Sequence, residues 1–428
     1  MLHRRGEAAY CSILSTGDVR RSAAGHSASF SGPGQSHTVP SLSRRQPPRP
    51  AKNLDEMVSY QRALTATGVA ILSGLGAMEA VARHLHPPEL PKLRSLVEPK
   101  RDQLAEALAE FREASPPDPM RGFHERLADA GQRAHRALEM FCEPHPPAQA
   151  IVGILQSMSA QARALEALYA LHRFPPISRY FIEEPFHDRL EEFDPRPPSG
   201  FTVGLHQSGS AGDGGGARGG MCVYVPESWD GSQALPLVVA LHGGAGNGRD
   251  FLWTWLREAR GRRFLLLVPT SQGSTWALDG PDADTPALSQ MVEFIGQRWN
   301  LDREHILLTG LSDGATFSLR SGLGSEEVPW THLAPISGVL HPGLIADGRI
   351  ERARNRPIYL VHGTLDWMFP VAMAREAAQT LTEAAAQLVF REIPDLSHTY
   401  PRDENDRILT WFDPRLALPE RDTAADRP

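Results

Sequence analysis

The stretch Asp302-Arg303-Glu304-His305-Ile306-Leu307-Leu308-Thr309-Gly310-Leu311-Ser312-Asp313-Gly314-Ala315-Thr316-Phe317 decides the fold. Residues 305–309 are apolar and short, and read as a buried strand. Residues 313–322 read as a helix. Between them stands Gly310-Leu311-Ser312-Asp313-Gly314. A strand, a GxSxG turn and a helix together are the context of a nucleophile elbow. The turn is sharp, and glycines two before and two after the serine let strand and helix approach closely. The helix start beneath Ser312 favours negative charge there. The structural alternative is a Gly-bracketed turn with a capping serine; the apolar strand in front favours the nucleophile. Ser312 is therefore the candidate nucleophile.

Outward from this turn, strands and helices alternate. Further strands are expected at 221–225, 235–241, 263–268, 357–361 and 388–393, and helices at 285–298, 371–386 and 403–412. Short, fully apolar strands alternating with helices indicate an α/β fold with a mostly parallel sheet covered on both faces. Two strand ends carry more chemistry. After Leu235–Leu241 comes His242-Gly243-Gly244-Ala245-Gly246, a glycine loop able to offer backbone N–H groups to a developing oxyanion. The expected donors are the N–H groups of Gly244 and Asp313. A phosphate-binding loop is disfavoured because no GK[ST] follows. After the strand at 357–361 comes His362-Gly363-Thr364-Leu365-Asp366, whose carboxylate can orient an imidazole. After the last strand comes Pro394-Asp395-Leu396-Ser397-His398. The order Ser312, Asp366, His398 is the Ser, Asp, His order expected for such a fold. Asp395 is a rival acid, but three residues from His398 it fits a turn-shaping role better. Trp276 and Trp367 are candidates to line the substrate pocket, with Phe369 beside the acid; packing roles are equally open for them.

With these motifs in place, residues 219–412 resemble the α/β-hydrolase superfamily, in its carboxylesterase, polyhydroxybutyrate-depolymerase-like and dienelactone-hydrolase-like branch. The resembling pieces are LHGGAGNGRD, DREHILLTGLSDGA, LVHGTLDWMFP and PDLSHTYP. The resemblance implies an α/β-hydrolase fold, a Ser312–Asp366–His398 triad and an acyl-enzyme mechanism on a carboxylic ester, with no cofactor and no metal. The secreted depolymerases carry signal peptides and disulfides that this chain lacks, which argues against polymer or plant-wall substrates. Two rivals remain: a serine peptidase or acyl-aminopeptidase, and a non-catalytic binding protein on a hydrolase fold. The first usually carries a β-propeller, and the second would be expected to have lost one of the four motifs.

The rest of the chain is organised differently. Residues 1–53 are rich in Ser, Gly, Pro and Arg and are expected to be disordered. A mis-called start, with Met57 as the true one, explains them more simply than a transit peptide. Residues 54–190 show helical periodicity broken at proline pairs, and are expected to form a small all-α domain of unassigned role. Its histidines, His84, His86, His124, His135, His145 and His172, lack ligand spacing. The helical domain is the candidate surface for self-association.

A Pro-rich linker, Asp194–Pro198, then leads into the catalytic domain, expected at 195–415 with a polar tail at 416–428. The formal GxGxxG at Gly214–Gly219 precedes a strand rather than following one, so it reads as a loop or hairpin tip. A net charge of −7 excludes a basic nucleic-acid footprint. Three dispersed cysteines, Cys11, Cys142 and Cys222, build neither a disulfide framework nor a CxxC site, and a cytoplasmic location is expected. No apolar run reaches membrane-spanning length; the longest, Thr65–Ala77, reads as a buried helix.

Overall fold

The structure is a computed structural model and describes residues 54–195, 202–209 and 214–419. The segment expected to be disordered, 1–53, lies outside these residues, as do parts of the linker, the glycine-rich stretch and the tail.

Five helices come first: α1 Leu54–Arg83, α2 Leu90–Glu113, α3 Arg121–Cys142, α4 Pro147–Tyr169 and α5 Pro175–Tyr180. An eight-stranded sheet follows. Its strands are β1 Gly204–Ser208, β2 Met221–Val225, β3 Leu235–Leu241, β4 Leu265–Pro269, β5 Leu301–Leu311, β6 His332–Ile336, β7 Pro357–Gly363 and β8 Gln387–Ile393. Between and after them lie α6 Gly248–Phe251, α7 Leu256–Arg262, α8 Asp284–Arg298, α9 Asp313–Gly322, α10 Pro342–Ala346, α11 Val371–Glu383 and α12 Asn405–Phe412. The spatial order is β1-β2-β4-β3-β5-β6-β7-β8. The β1–β2 and β2–β4 pairs are antiparallel and the remaining pairs are parallel. This is the α/β-hydrolase arrangement.

The order also explains where chemistry can occur. From β3 the chain crosses to β4 on one side, then returns to place β5 on the other. Loops leaving the C-terminal ends of β3 and β5 therefore diverge, and a crevice opens at this switch point. The His242–Gly246 loop and Ser312 leave those two strand ends.

Side-chain alternation divides the sheet into two apolar layers. Cys222, Tyr224, Val238, Ala240, Leu266, Val268 and Leu307 face one way. Met221, Val223, Leu237, Val239, Leu265, Leu267 and Leu308 face the other, against α8, α9 and α11. The first layer holds a correction to the expected domain division. Residues from Tyr60 to Phe181 bury their apolar faces in the same core as Cys222, Tyr224, α7 and α12. Tyr169 sets its ring 6.5 Å from that of Tyr224 and 5.9 Å from that of Trp253. The described residues from Asp55 onward fall in one compact unit, on both sides of the proline-rich segment. Helical periodicity reveals an apolar face but not what covers it. The expected tail is likewise drawn in at its start, where Leu416 is buried and its carbonyl accepts from Arg262 Nη1 at 3.0 Å.

Helix α1 differs from expectation in another way. By length and composition, Glu56–Arg83 is long and apolar enough to cross a membrane. Here Tyr60, Ala63, Thr67, Ala70, Ile71, Leu75, Met78 and Val81 are buried in the protein at helical spacing.

Candidate active site

Ser312 stands between β5 and α9 with φ 56° and ψ −118°. This backbone conformation costs an L-residue about 1–3 kcal/mol and persists only when its surroundings enforce it. The turn is hemmed in by the backbone of Gly314 and His242 and by Leu241 Cβ. A Cβ on Gly310 would lie 2.7 Å from the backbone of Gly314, and one on Gly314 would lie 2.5 Å from the carbonyl oxygen of His242. The N–H of Ser312 donates to Ile336 O at 3.0 Å, and its carbonyl accepts from Thr316 N at 2.9 Å. The side chain is thus fixed at the crevice, with 8% of the residue exposed.

His398 Nε2 lies 3.0 Å from Ser312 Oγ, and His398 Nδ1 lies 2.8 Å from Asp366 Oδ2. With Nδ1–H donating to the carboxylate, Nε2 is left to accept from the serine hydroxyl. The other carboxylate oxygen, Oδ1, accepts from the N–H groups of Met368 at 2.9 Å and Phe369 at 2.7 Å. Burial would raise the Asp366 pKa. The hydrogen bonds from His398 and the Phe369 N–H outweigh it and hold the carboxyl below its ordinary value. The three residues nominated from sequence are thus brought together. The rival Asp395 is not: its Oδ1 pairs with Arg83 Nη2 at 3.1 Å, and its side chain is 61% exposed.

At the glycine loop, a Cβ on Gly243 would lie 3.6 Å from Ser312 Cβ. One on Gly244 would lie 2.6 Å from Asp313 Oδ2. That carboxylate is turned aside by Thr275 Oγ1, which donates to it at 2.5 Å. Glycine at 244 therefore lets the loop backbone lie close to Asp313, whereas a Cβ at 243 would make only an ordinary contact.

The two tryptophans separate. Trp276, a candidate pocket residue, is only 2% exposed. Its Nε1–H donates to His242 O at 2.8 Å, and its ring stacks 5.5 Å from Phe317. It braces the glycine loop from within the core, where its large apolar ring is stable and its N–H finds a partner. Trp367 is 43% exposed, with its ring 6.4 Å from that of His398. Phe369 lies closer, at 5.3 Å, edge-on to the same imidazole.

Two histidines gain roles that sequence reading left unassigned. His242 Nδ1–H donates to Gly243 O at 2.6 Å, and Nε2 accepts from Ser271 N–H at 3.1 Å. Burial depresses its pKa to about 4, so the neutral ring fixes the glycine loop. His362, fully buried, donates from Nε2 to Phe369 O at 2.8 Å and shapes the acid loop. Both open an H-G pair directly after an apolar run, a shared signal visible in the sequence.

Residues 282–413 match the family described as Phospholipase/Carboxylesterase. An oxidized polyvinyl alcohol hydrolase from Sphingopyxis sp. (strain 113P3) is 37% identical over 93 residues, 22% of this chain and 23% of that protein. A bifunctional acetylxylan esterase/xylanase from Neocallimastix patriciarum is 26% identical over 197 residues, 44% of this chain and 27% of that protein. The matches thus span about a quarter of the length of these curated relatives. The solved acetyl xylan esterase from Aspergillus awamori superposes with a TM-score of 0.40 at 17% identity, covering 49% of this chain and 98% of that one.

Proposed function

We propose that the α/β-hydrolase segment of this chain is a serine esterase acting on carboxylic esters. The observation that carries the reading is the relay from Asp366 through His398 to Ser312, at 2.8 and 3.0 Å. It ends on a serine whose φ of 56° is enforced by the surrounding backbone. In the proposed reaction, Ser312 Oγ attacks the ester carbonyl carbon while His398 Nε2 takes the hydroxyl proton. The carbonyl π electrons move onto oxygen, and the oxyanion rests against the N–H groups of Gly244 and Asp313. Collapse expels the alcohol, which takes the proton from His398, and leaves an acyl-enzyme. A water molecule, deprotonated by the same imidazole, attacks the acyl carbon; the acid leaves and Ser312 regains its proton. Asp366 stays ionised throughout, stabilising the charged imidazole.

Leu365, Trp367 and Met368 are exposed beside the acid, and their apolar surface suits an acyl or alcohol group that is itself apolar. The test is labelling by a fluorophosphonate together with turnover of p-nitrophenyl esters. Ser312→Ala should lose both, and full turnover in that variant overturns the reading.

A further inference from the structure

Helix α1 ends beside the loop that carries the catalytic base, and its last turn and the residues just after it grip that loop at several points. Arg83 Nε donates to Asp403 Oδ1 at 2.8 Å, and its Nη2 donates to Asp395 Oδ1 at 3.1 Å. His86 Nδ1 lies 3.1 Å from Ser397 Oγ. Thr399 Oγ1 donates to the carbonyl of Ala82 at 2.8 Å. Ala82 is in the last turn of α1, and its carbonyl also accepts from the Leu85 N–H at 3.3 Å. The residues immediately before and after His398 are therefore bonded to the stretch Ala82–His86, Thr399 to the last turn of α1 and Ser397 to His86 just beyond it, and Arg83 bridges the loop from Asp395 to Asp403.

We propose that the C-terminal end of α1 and the turn that follows it, through Arg83 and His86, position His398 for proton transfer with Ser312. The inference rests on the esterase reading above. Between the end of β8 at Ile393 and the turn Arg402–Glu404, the base loop has no strand or helix of its own. On one side it is held by the acid loop, where Leu365 N–H donates to Leu396 O at 2.9 Å and Thr364 Oγ1 donates to Pro394 O. The end of α1 holds the other side. With both in place the loop cannot slide along the crevice, and the imidazole keeps its distance from Ser312. A shift of about 1 Å in such a group is enough to slow the chemical step by about a hundredfold.

A purely structural role makes a different prediction. Asp395 and Asp403 are 61% and 57% exposed in their side chains, and ion pairs to exposed carboxylates contribute little to stability. If Arg83 only anchors the helix, removing its charge barely changes the folded enzyme.

The experiment uses the full chain with p-nitrophenyl acetate, measuring kcat, KM and the thermal midpoint for Arg83→Met, Arg83→Lys and the double variant Asp395→Asn/Asp403→Asn, with Ser312→Ala in parallel. Arg83→Met should lower kcat about ten- to hundredfold, with KM and the thermal midpoint near those of the parent. Arg83→Lys should recover part of the loss, since one ammonium reaches one carboxylate. The double aspartate variant should match Arg83→Met, and adding Arg83→Met to it should lower kcat no further. That variant carries the test if Arg83→Met does not fold. Parental kcat in folded Arg83→Met, or in the double aspartate variant, overturns the positioning role and leaves the triad standing. Activity surviving in Ser312→Ala overturns the esterase reading and this inference with it.

Discussion

The N–H of Leu365 donates to the carbonyl oxygen of Leu396 at 2.9 Å, which ties the residue before the acid to the residue two before the base. The acid and base loops leave neighbouring parallel strands, β7 and β8, and this bond keeps them in register beyond the sheet. It requires a glycine at 363, because a Cβ there would lie 2.1 Å from Leu396 O. Gly363→Ala is therefore expected to force the loops apart. Backbone has little room to yield, so the variant should lose about 1–3 kcal/mol in urea denaturation. In the folded fraction kcat should fall about a hundredfold. Unchanged stability and kcat would show that the loops tolerate separation.

Asp366 and Asp395 lie on those two loops and should behave differently. Asp366 bonds to His398 Nδ1 and to two backbone N–H groups. Asp395 meets only an arginine at the surface. Asp366→Asn replaces an acceptor by an amide that can favour the wrong imidazole tautomer, and turnover should fall by about 10⁴-fold. Asp395→Asn leaves Arg83 held by Asp403, and turnover should fall about fivefold or less. Steady-state kinetics on both variants, with circular dichroism to verify folding, decides the assignment. A larger loss at Asp395 would reverse it.

The glycine loop gives a prediction about acid stability. His242 is buried and its pKa is depressed to about 4. The unfolded chain, with an ordinary histidine near 6.5, binds a proton between those values that the folded chain does not. Stability from this group is therefore complete above pH 6.5 and is lost as pH falls towards 4. The difference corresponds to about 3 kcal/mol. Protonating Nε2 would also set a donor against the Ser271 N–H. His332, depressed to about 4 by burial, contributes with the same sign over the same window. Urea denaturation from pH 4.5 to 7.5 should show stability rising with pH, and His242→Asn should flatten part of the slope. An unaltered slope in that variant would place the dependence elsewhere.

The triad loops were readable because each follows an apolar strand that announces itself. The three remaining strand expectations, 221–225, 235–241 and 263–268, also fall within a few residues of the observed elements. Two strands gave no such signal. In β1, Gly204–Ser208, all five residues are half-buried, so no alternation marks it. In β6, His332–Ile336, Pro335 lacks an N–H and argues against a central strand. Long-range relations were silent for another reason. Nothing local links Arg83 to Asp395, 312 residues later, or reveals that Trp276 turns inward to brace His242. The helical segment shows the same limit, since periodicity marks its apolar face but not the sheet that covers it.

Trp367 offers a test of specificity. It is 43% exposed and stands edge-on to His398 at 6.4 Å, beside exposed Leu365 and Met368. Removing its ring should take away apolar contact with bound substrate while leaving the proton relay intact. Trp367→Ala should raise KM for p-nitrophenyl esters of longer acyl chains, by about tenfold or more for the 1.5–3 kcal/mol of a buried side chain. The acetate ester should change little. Equal effects on short and long chains would mean that the ring supports the acid loop rather than the substrate.

The shared core makes the last prediction. A chain beginning near Pro195 keeps Ser312, Asp366, His398 and the glycine loop, and on sequence alone would be expected to work by itself. In the structure it would lose Tyr169 and Phe181 from the layer over Tyr224 and Trp253. It would also strand charges that the helices now neutralise. Arg260, with a side chain only 1% exposed, donates to Asp194 Oδ2 at 2.6 Å and to Ser178 O at 3.2 Å. Arg262 donates to Glu183, and Arg402 pairs with Glu79 at 3.4 Å. Breaking a buried ion pair by removing one partner typically costs about 3–5 kcal/mol, and the apolar losses add to it. Together these approach the whole stability of an ordinary domain. The shortened protein should therefore be insoluble, or should bind ANS and lack near-ultraviolet circular dichroism, and should not turn over p-nitrophenyl acetate. If it is instead monomeric, well packed and active on that ester, the helices are dispensable to the fold and the hold of α1 on the His398 loop is dispensable to the chemistry.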